Sequence, residues 1–542
     1  MHKPLLVTDF LDRARRHYAD ETAVVATTGD RYTYRELGAR ADAFSAFLQT
    51  EGVAKGDRVA VLDPNTHYQL EAAYGIMQLG AVHTPLNYRL TPDDYAYILE
   101  DAGVDVVYAD HEYAEKIQAV RDDVPTELFV TDDPDAVDGD WRDVETELDA
   151  RLDADGAGAD YERPEMAEDD VVTINYTSGT TGDPKGVCRT HRAETLHSYL
   201  VTAHQEISDD DVYLWTLPMF HVNGWGHIYS ITGNGATHVC TRGVDAADVF
   251  DAIQTEDVSY LCAAPTVLNM LMDYYDQHDG DVATTGANPV RAATAGAAPP
   301  ESTLRTVEGE FGWTLMHVYG ATETGPLITT SHAPRHFADK SDDERFGLMK
   351  RQGIGYLGTE VRVVDEDGED VPRDGSTIGE IVVRGNQVME KYWNKPEATE
   401  EAFSERREGY YHMGDLATWD ENGFVAIQDR KKDIIISGGE NISTIELEDV
   451  LYEHPEVSKA AVIPAPSDRW GETPKAFVVL APDASVDADG LKDFVADRVA
   501  SFKRITRVEF VEELPETATG KVQKYELRQR EWDGEESMVG QG

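Results

Sequence analysis

The sequence is poor in cysteine and in long apolar runs, and each shortage excludes a class of protein. Only three cysteines occur among 542 residues, Cys188, Cys240 and Cys262, and their odd number and wide spacing match neither a disulfide framework nor a metal site. No stretch approaches 18 uninterrupted apolar residues, and Asp9 and Asp12 break the apolar start of the chain, unlike a signal peptide. We therefore expect a cytoplasmic protein with reduced core cysteines and no integral membrane segment.

Positive charge is the third shortage. Lysine and arginine number 48 against 103 aspartates and glutamates, which gives a formal net charge of -55. The acid is spread along the whole chain, so it repels nucleic acid and anionic membrane and excludes a nucleic-acid partner. Because 41% of the residues are hydrophobic, the charge does not indicate disorder.

The order of apolar runs predicts an α/β fold class. Between about residues 57 and 110, and again between 171 and 320, short β-branched runs alternate with amphipathic stretches, which favours two parallel α/β subdomains. Residues 131–170 are dominated by Asp, Glu, Ala and Gly, and we expect a solvated connection there. After about Gly358, strand and turn signals predict a β-rich subdomain. From Asp433, the order strand, helix, strand, strand, helix, strand predicts a separate small α+β lid domain.

The strand at residues 171–176 leads into the segment TSGTTGDPKGV, which has the composition of a phosphate-binding loop. Its glycines let successive backbone N–H groups converge on an anion, its hydroxyls add donors, and its lysine adds a mobile positive charge. The candidate phosphate ligands are Thr177, Ser178, Gly179, Thr180, Thr181, Gly182 and Lys185. Gly186 and Val187 follow the lysine where a Walker loop needs Ser or Thr, which disfavours a P-loop kinase or ATPase.

This segment closely resembles the signature loop of the adenylate-forming superfamily, which contains acyl-CoA ligases, luciferases and the adenylation domains of peptide synthetases. The resemblance extends over nearly the whole chain. Further segments match the family motifs in the family order, namely TAGAAPP, VYGATETG, YHMGDLA, DRKKDIIISGGENIS and ELPETATGKVQK. The resemblance implies a large AMP-binding domain at residues 1–429, a hinge at 430–432 and a mobile lid domain at 433–542.

The resemblance also implies roles for single residues in ATP and AMP binding. The residues at the adenine and ribose would be Gly296, Ala297, Ala298, Tyr319, Gly320, Asp415 and Arg430. Thr322 would bind the phosphates and, with Glu323, a Mg²⁺ ion, because a carboxylate oxygen suits a hard cation. Lys521 would complete the catalytic set of Lys185, Thr322 and Glu323 that stabilises charge when the acid attacks the α-phosphorus.

In the implied second step, the thiol of coenzyme A attacks the acyl-adenylate and AMP leaves. The lid would rotate about Lys432, withdraw Lys521 and bring the SGGEN turn to the thiol, where glycines let the pantetheine arm pass closely. The candidate residues for coenzyme A are Arg89, Gly438, Gly439, Trp470, Phe502 and Arg504.

The segment TLPMFHVNGWG resembles the stretch that lines the acyl pocket in this family, with His221, Gly224 and Trp225 as lining residues together with Gly320. Acetyl-CoA synthetases carry two tryptophans in the central motif, at the positions of Tyr319 and Gly320 here. An open pocket lets each added methylene gain about 0.8 kcal/mol. We therefore expect a short- to medium-chain fatty acid first, an aryl acid such as benzoate second and a long-chain acid third.

Two other readings stay open beside the ligase. An adenylation enzyme could deliver the acyl group to another acceptor, although no carrier domain follows and the SGGEN turn favours coenzyme A. A regulatory protein with a dead nucleotide site would be expected to lack Lys521 or Glu323, and both are present. Self-association into a homo-oligomer also stays open.

The charge balance, with abundant aspartate and with lysine scarcer than arginine, resembles that of proteins from salt-accumulating archaea. There, molar salt screens the repulsion between surface carboxylates. We expect a halophilic, haloarchaeal protein, and cooperative unfolding with full activity in the absence of added salt would contradict this.

Overall fold

The computed structural model describes residues 3–152, 159–177, 184–404, 407–437, 440–467, 469–482, 484–516 and 522–532. The chain divides into two compact units. The first comprises the described residues of Met1–Ser178, Pro184–Glu360 and Arg384–Phe403, and the second those of Val361–Val383 and Ser404–Gly542. The predicted boundaries at residues 429 and 433 stay a prediction.

The strands are numbered in chain order. They are β1 (Thr22–Val25), β2 (Arg31–Thr33), β3 (Arg58–Leu62), β4 (Val82–Leu86), β5 (Val106–Ala109), β6 (Leu128–Thr131), β7 (Arg142–Asp143), β8 (Val171–Thr177), β9 (Lys185–Thr190), β10 (Val212–Leu214), β11 (Thr237–Val239), β12 (Tyr260–Cys262), β13 (Arg291–Thr294), β14 (Thr314–Gly320), β15 (Leu327–Thr330), β16 (Ile354–Gly355), β17 (Glu360–Val364), β18 (Gly379–Arg384), β19 (Lys391–Tyr392), β20 (Tyr411–Trp419), β21 (Val425–Arg430), β22 (Ile435–Ser437), β23 (Glu440–Ile442), β24 (Val457–Ser467), β25 (Gly471–Leu480) and β26 (Arg507–Phe510).

The helices are numbered in the same way. They are α1 (Thr8–His17), α2 (Tyr34–Thr50), α3 (His67–Gln78), α4 (Pro92–Ala102), α5 (His111–Gln118), α6 (Val144–Asp149), α7 (His191–His204), the single turn α8 (Val222–Trp225), α9 (His227–Asn234), α10 (Ala246–Thr255), α11 (Pro265–Gln277), α12 (Glu301–Gly309), α13 (Pro334–Phe337), α14 (Asp342–Met349), α15 (Pro396–Ser404), α16 (Thr444–Tyr452), α17 (Ala488–Ala496) and α18 (Lys524–Trp532).

The first unit contains two large sheets with parallel centres, which confirms the predicted pair of α/β subdomains. The predicted bounds were wrong in one place, because β8 and β9 pair into the sheet of β3 and β4 and not with β10 to β14. One sheet has the order β16-β15-β14-β13-β12-β10-β11-β1-β2, and the other has the order β19-β9-β8-β4-β3-β5-β6-β7. Along β3 the side chains alternate between two separate cores, with Val59 and Val61 in one and Ala60 and Leu62 in the other. Both faces are therefore covered by helices, as a parallel sheet requires.

Local signals begin and end the helices of this unit. In α4, Thr91 and Asp94 form a reciprocal capping box, Pro92 occupies the first turn, and Gly103 ends the helix with a φ of 63°. These contacts satisfy backbone groups that the helix itself leaves unpaired. The three cysteines are free and buried, as predicted.

The second unit combines an antiparallel sheet of order β17-β18-β20-β21 with a sheet in which β22, β23, β24, β25 and β26 pair. The predicted β-rich and α+β parts are therefore both present. The structure adds β23 and α18 to the predicted order. The polar strand β23 carries little apolar signal of its own, and it exists because Ile442 pairs with Ile435 of β22.

The described parts of the connection at residues 131–170 contain regular structure that the composition does not predict. Within it lie β7 and α6, and both Val144 and Leu148 of α6 are fully buried. Two apolar residues four positions apart lie on one face of a helix, so a short acidic segment still packs. The described parts of the chain contain no helix long and apolar enough to cross a membrane.

Three aspartates follow the neighbouring parallel strands β3, β5 and β6, at the carboxyl ends of these strands. Asp63 follows β3, Asp110 follows β5 and Asp132 follows β6. Asp63 is fully buried and accepts hydrogen bonds from Thr66 N and Thr66 Oγ1, each at 2.6 Å. Burial and, next, the charge of Asp110 raise the pKa of Asp63 from 3.8 to about 7.

We predict that Asp63→Asn weakens the pH dependence of stability. The folded protein holds the Asp63 proton more tightly than the unfolded chain does. The stability that protonated Asp63 contributes is therefore present below about pH 4 and is lost as the pH rises through 7. The wild-type free energy of unfolding should fall relative to the variant by on the order of 3 kcal/mol between pH 4 and 8. Urea unfolding at constant KCl measures this, and parallel pH profiles would contradict it.

Candidate active site

The two strands on either side of the predicted phosphate loop form an antiparallel hairpin. Residues Ser178, Gly179, Thr180, Thr181 and Gly182 lie outside the described part of the chain. Strands β8 and β9 place Thr177 directly opposite Lys185, and Thr177 Oγ1 donates to the Lys185 carbonyl at 3.4 Å. The two ends of the predicted loop, Thr177 and Lys185, therefore lie side by side at the end of the β8–β9 strand pair.

A second segment, residues 384–403, covers the outer edge of β9, and we call it the return segment. Its strand β19 pairs with β9, with Tyr392 opposite Val187. Glu390 N donates to the Cys188 carbonyl at 3.0 Å, and Trp393 N donates to the Gly186 carbonyl at 2.7 Å. Gly186 is required here, because a Cβ would lie 2.8 Å from Ile174 Cγ2.

The return segment also reaches the central nucleotide motif. Met389 N donates to the Glu323 carbonyl at 2.7 Å, and Tyr392 Oη donates to Glu323 Oε1 at 2.8 Å. The Lys185 ammonium lies 5.0 Å from the centre of the Tyr392 ring. The structure therefore brings together two predicted catalytic residues, Lys185 and Glu323, around an aromatic residue that sequence reasoning missed.

The residues present suit a magnesium ion. Glu323 follows Thr322 in a short 3-10 turn, Thr322–Thr324, and both side chains are partly exposed. The hydrogen bond from Tyr392 engages Oε1 of the Glu323 carboxylate, which carries a second acceptor oxygen. Hard cations take such carboxylate and hydroxyl oxygens.

The adenine-side motifs follow adjacent parallel strands. Thr294 at the end of β13 pairs with His317 of β14, so Gly296 to Ala298 and Tyr319 extend toward the same sheet edge. Gly296, Ala297 and Ala298 are exposed, and Gly296 has a φ of 96°, which favours glycine. Ligands bind at such carboxyl edges in open α/β sheets.

Gly320 has a structural explanation that the sequence did not reveal. A Cβ at this position would collide with the backbone carbonyl oxygen of Pro326 and lie 3.0 Å from Thr324 Oγ1. The backbone thus excludes any side chain at residue 320, whatever the size of the acyl group. The inference of a wide pocket from the missing indole therefore loses its basis, and the role of Gly320 in the pocket stays a prediction.

The predicted acyl-pocket segment forms a left-handed turn. Val222, Asn223, Gly224, Trp225 and Gly226 all have positive φ, between 49° and 80°. For residues with a Cβ the left-handed helix costs roughly 1–2 kcal/mol each, and a β-branched valine is an unusual occupant. Such strain persists only where surrounding contacts over-determine it, and it clusters at functional sites.

Buried polar contacts hold this turn. Asn223 Nδ2 donates to Glu194 Oε1 at 3.0 Å, and Glu194 forms a fully buried ion pair with Arg189 of β9. The guanidinium also donates from Nη1 to the Gln387 carbonyl of the return segment at 3.1 Å. On the other side, His227 Nδ1 donates to the Gly224 carbonyl at 2.7 Å.

The predicted pocket residues lie on or beside the turn. Burial lowers the pKa of His221 to about 4, so its imidazole is neutral at pH 7. Trp225 is buried, and a Cβ on Gly224 would lie 2.6 Å from Cη2 of Trp215. Close packing against Trp215 thus explains Gly224 without any ligand.

In the second unit, two predicted ribose residues meet directly. Asp415 of β20 pairs with Arg430 of β21, and Arg430 Nε lies 2.8 Å from Asp415 Oδ1. Lys432 is exposed in the turn after β21. Gly438, Gly439 and Lys521 lie outside the described residues.

The remaining candidates for coenzyme A lie on the surface. Trp470 and Phe502 are each 48% exposed, and Arg504 is exposed. In the first unit, the Arg89 guanidinium lies 5.4 Å from the centre of the Tyr88 ring. Exposed aromatic and cationic side chains are available to a nucleotide, but their role in coenzyme A binding stays a prediction.

An α/β fold that brings Lys185, at the start of β9, near Glu323 is typical of a nucleotide-binding enzyme. The family model described as AMP-binding enzyme matches residues 10–393, and that of its C-terminal domain matches residues 446–521. The chain belongs to this family and is an AMP-forming acyl-CoA ligase.

Relatives and solved structures match over nearly the full length. The chain is 36% identical to 4-hydroxybutyrate–CoA ligase 2 of Metallosphaera sedula over 97% of this chain and 94% of that protein. It is 33% identical to the peroxisomal trans-cinnamate:CoA ligase of Petunia hybrida, with coverage of 97% and 94%. The ATP-bound structure of MatB from Rhodopseudomonas palustris superposes with a TM-score of 0.82 at 27% identity, covering 96% and 98%.

We predict that Asn223→Ala disturbs acid binding and leaves ATP binding unchanged. The variant loses the bond to Glu194 and an amide side chain that tolerates the left-handed conformation, so stability should fall by about 2 kcal/mol. The KM for the acid should rise several-fold while the KM for ATP stays constant.

Steady-state kinetics and urea unfolding test this, with Asn223→Gly as the matched control. Glycine restores the backbone preference without the hydrogen bond, so it should recover part of the stability but not the KM. A rise in the KM for ATP alone would contradict the assignment of this turn to the acid.

Proposed function

We propose that this ligase activates a short- to medium-chain fatty acid with MgATP in the cytoplasm and transfers the acyl group to coenzyme A. The observation that carries the nucleotide part is the joint placement of Lys185 and Glu323 around Tyr392. Lys185 would bind the polyphosphate, and Glu323 with Thr322 would hold the metal. A bound magnesium ion would neutralise phosphate charge during adenylation.

The acid preference has support of a different kind. The turn at residues 222–226 contains buried Trp225, and His221, whose imidazole is neutral, directly precedes it; both side chains suit an uncharged acyl chain. One relative is named for 4-hydroxybutyrate, a short aliphatic acid, and another for cinnamate, an aryl acid. The short- to medium-chain aliphatic acid stays our first choice, the aryl acid the second and a long-chain fatty acid the third.

Each half-reaction requires its own set of residues. The acid carboxylate attacks the α-phosphorus, pyrophosphate leaves, and Lys521, Lys185 and Thr322 offer cations or donors to the developing charge. Tyr319, Asp415 and Arg430 would orient adenine and ribose, with residues 177–182 and 296–298 beside the nucleotide. In the second half-reaction the thiol of coenzyme A displaces AMP.

The proposed function is tested by a panel of fatty and aryl acids with ATP in molar KCl, with and without coenzyme A. We expect AMP and thioester to appear together, with the highest rate for an aliphatic acid of about four to eight carbons. A maximum for benzoate or cinnamate would replace the aliphatic choice. Pyrophosphate release without any thioester would indicate another acceptor, and full activity without KCl would contradict the halophilic interpretation.

We further predict that Lys521→Ala separates the half-reactions. If the lid at residues 433–542 turns about Lys432, Lys521 serves only adenylation, so the loss there should be on the order of 100- to 1000-fold. Thioester formation from supplied acyl-adenylate and coenzyme A should stay close to the wild-type rate. Equal losses in both assays would contradict the rotation and the assignment of Gly438 and Gly439 to the thiol side.

A further inference from the structure

Tyr392 contacts two charged side chains through different parts of its own side chain. Its hydroxyl donates to the Glu323 carboxylate at 2.8 Å, and its ring centre lies 5.0 Å from the Lys185 ammonium. Both partners belong to the proposed catalytic set.

Independent contacts hold Tyr392 itself in place. Its backbone pairs with Val187 in the edge of the β9 sheet, and its N–H donates to Thr399 Oγ1 at 3.0 Å. Only 7% of the residue is exposed. Because Met389 N also holds the Glu323 carbonyl, the return segment sets both the main chain and the side chain of Glu323.

Each contact has a distinct physical effect. A phenol that donates to a carboxylate makes a short, charge-assisted bond that selects one carboxylate orientation. An aromatic face attracts an ammonium group electrostatically, through the negative face of the ring. Tyr392 can therefore hold Glu323 through its hydroxyl and Lys185 through its ring, at separate positions. Without it, the two opposite charges would attract each other directly.

We propose that Tyr392 is a positioning residue for MgATP: its hydroxyl orients Glu323 toward the metal, and its ring holds Lys185 for the polyphosphate. This rests on the roles given to Glu323 and Lys185 in the proposed function. The two effects are separable, because Tyr392→Phe removes the hydroxyl alone and Tyr392→Leu removes the ring as well.

The test is calorimetric binding of a non-hydrolysable ATP analogue, titrated with and without Mg²⁺ in molar KCl. We expect Tyr392→Phe to raise the dissociation constant of the magnesium complex about tenfold, because the variant loses one charge-assisted hydrogen bond. Binding of the metal-free analogue should stay unchanged. Tyr392→Leu should weaken binding of both forms, because Lys185 then loses its support.

Two controls separate positioning from general destabilisation. Tyr34→Phe removes another buried phenol hydroxyl, which donates to the Ala236 carbonyl far along the chain, and it should leave both dissociation constants unchanged. In a Glu323→Gln background, Tyr392→Phe should add little, because the hydroxyl acts through the carboxylate. The fitted stoichiometry reports the folded fraction, so a poorly folding variant still yields a dissociation constant.

Equal affinity of wild type and Tyr392→Phe for the magnesium complex would overturn the role of the hydroxyl. A full tenfold effect of the same change in the Glu323→Gln background would overturn its action through Glu323. If the wild type itself bound the analogue equally with and without Mg²⁺, the metal assignment in the proposed function would fail first. These three results are distinguishable in one titration series.

Discussion

The pairing of β19 with β9 is the interaction on which the rest of the site depends. Through it the return segment holds the strand that ends the phosphate loop, and the same segment donates to Glu323 and accepts from Arg189. A two-residue strand is weak by itself. Its importance comes from position, because the return segment contacts Lys185 and Glu323 of the proposed nucleotide site and also Arg189, whose ion pair supports the turn at residues 222–226.

The left-handed turn at residues 222–226 shows how the fold offsets local strain. Several residues adopt a conformation that isolated peptides avoid, and the cost is met by Asn223, by the Arg189–Glu194 ion pair and by packing on Trp215. A fully buried ion pair is seldom a source of net stability. Here the ion pair fixes Glu194 as a hydrogen-bond acceptor for Asn223, and through Arg189 it links the turn to β9.

Particular residues show which features of the site follow from the motifs and which depend on the folded structure. The structure brings Lys185 near Glu323 and Asp415 against Arg430, and in each case the motif lies within a few residues of a strand end; the roles of these residues stay predictions. Gly320 and Gly224 stay predicted pocket residues, although each glycine also has a packing reason of its own. A Cβ at residue 320 would meet the Pro326 carbonyl oxygen, and a Cβ at residue 224 would meet the Trp215 ring. The sequence shows neither contact, because both depend on how the folded chain packs.

The sequence by itself determined the order of the α/β, β-rich and α+β parts, because these depend on local periodicity, and its motifs indicated the class of enzyme through their resemblance to a known family. Only the tertiary structure decided that Tyr392 joins Lys185 to Glu323, and that Glu194 supports Asn223. Those contacts join residues from 29 to more than 200 positions apart. No local pattern records such a pairing, since it arises from how sheets and the return segment pack.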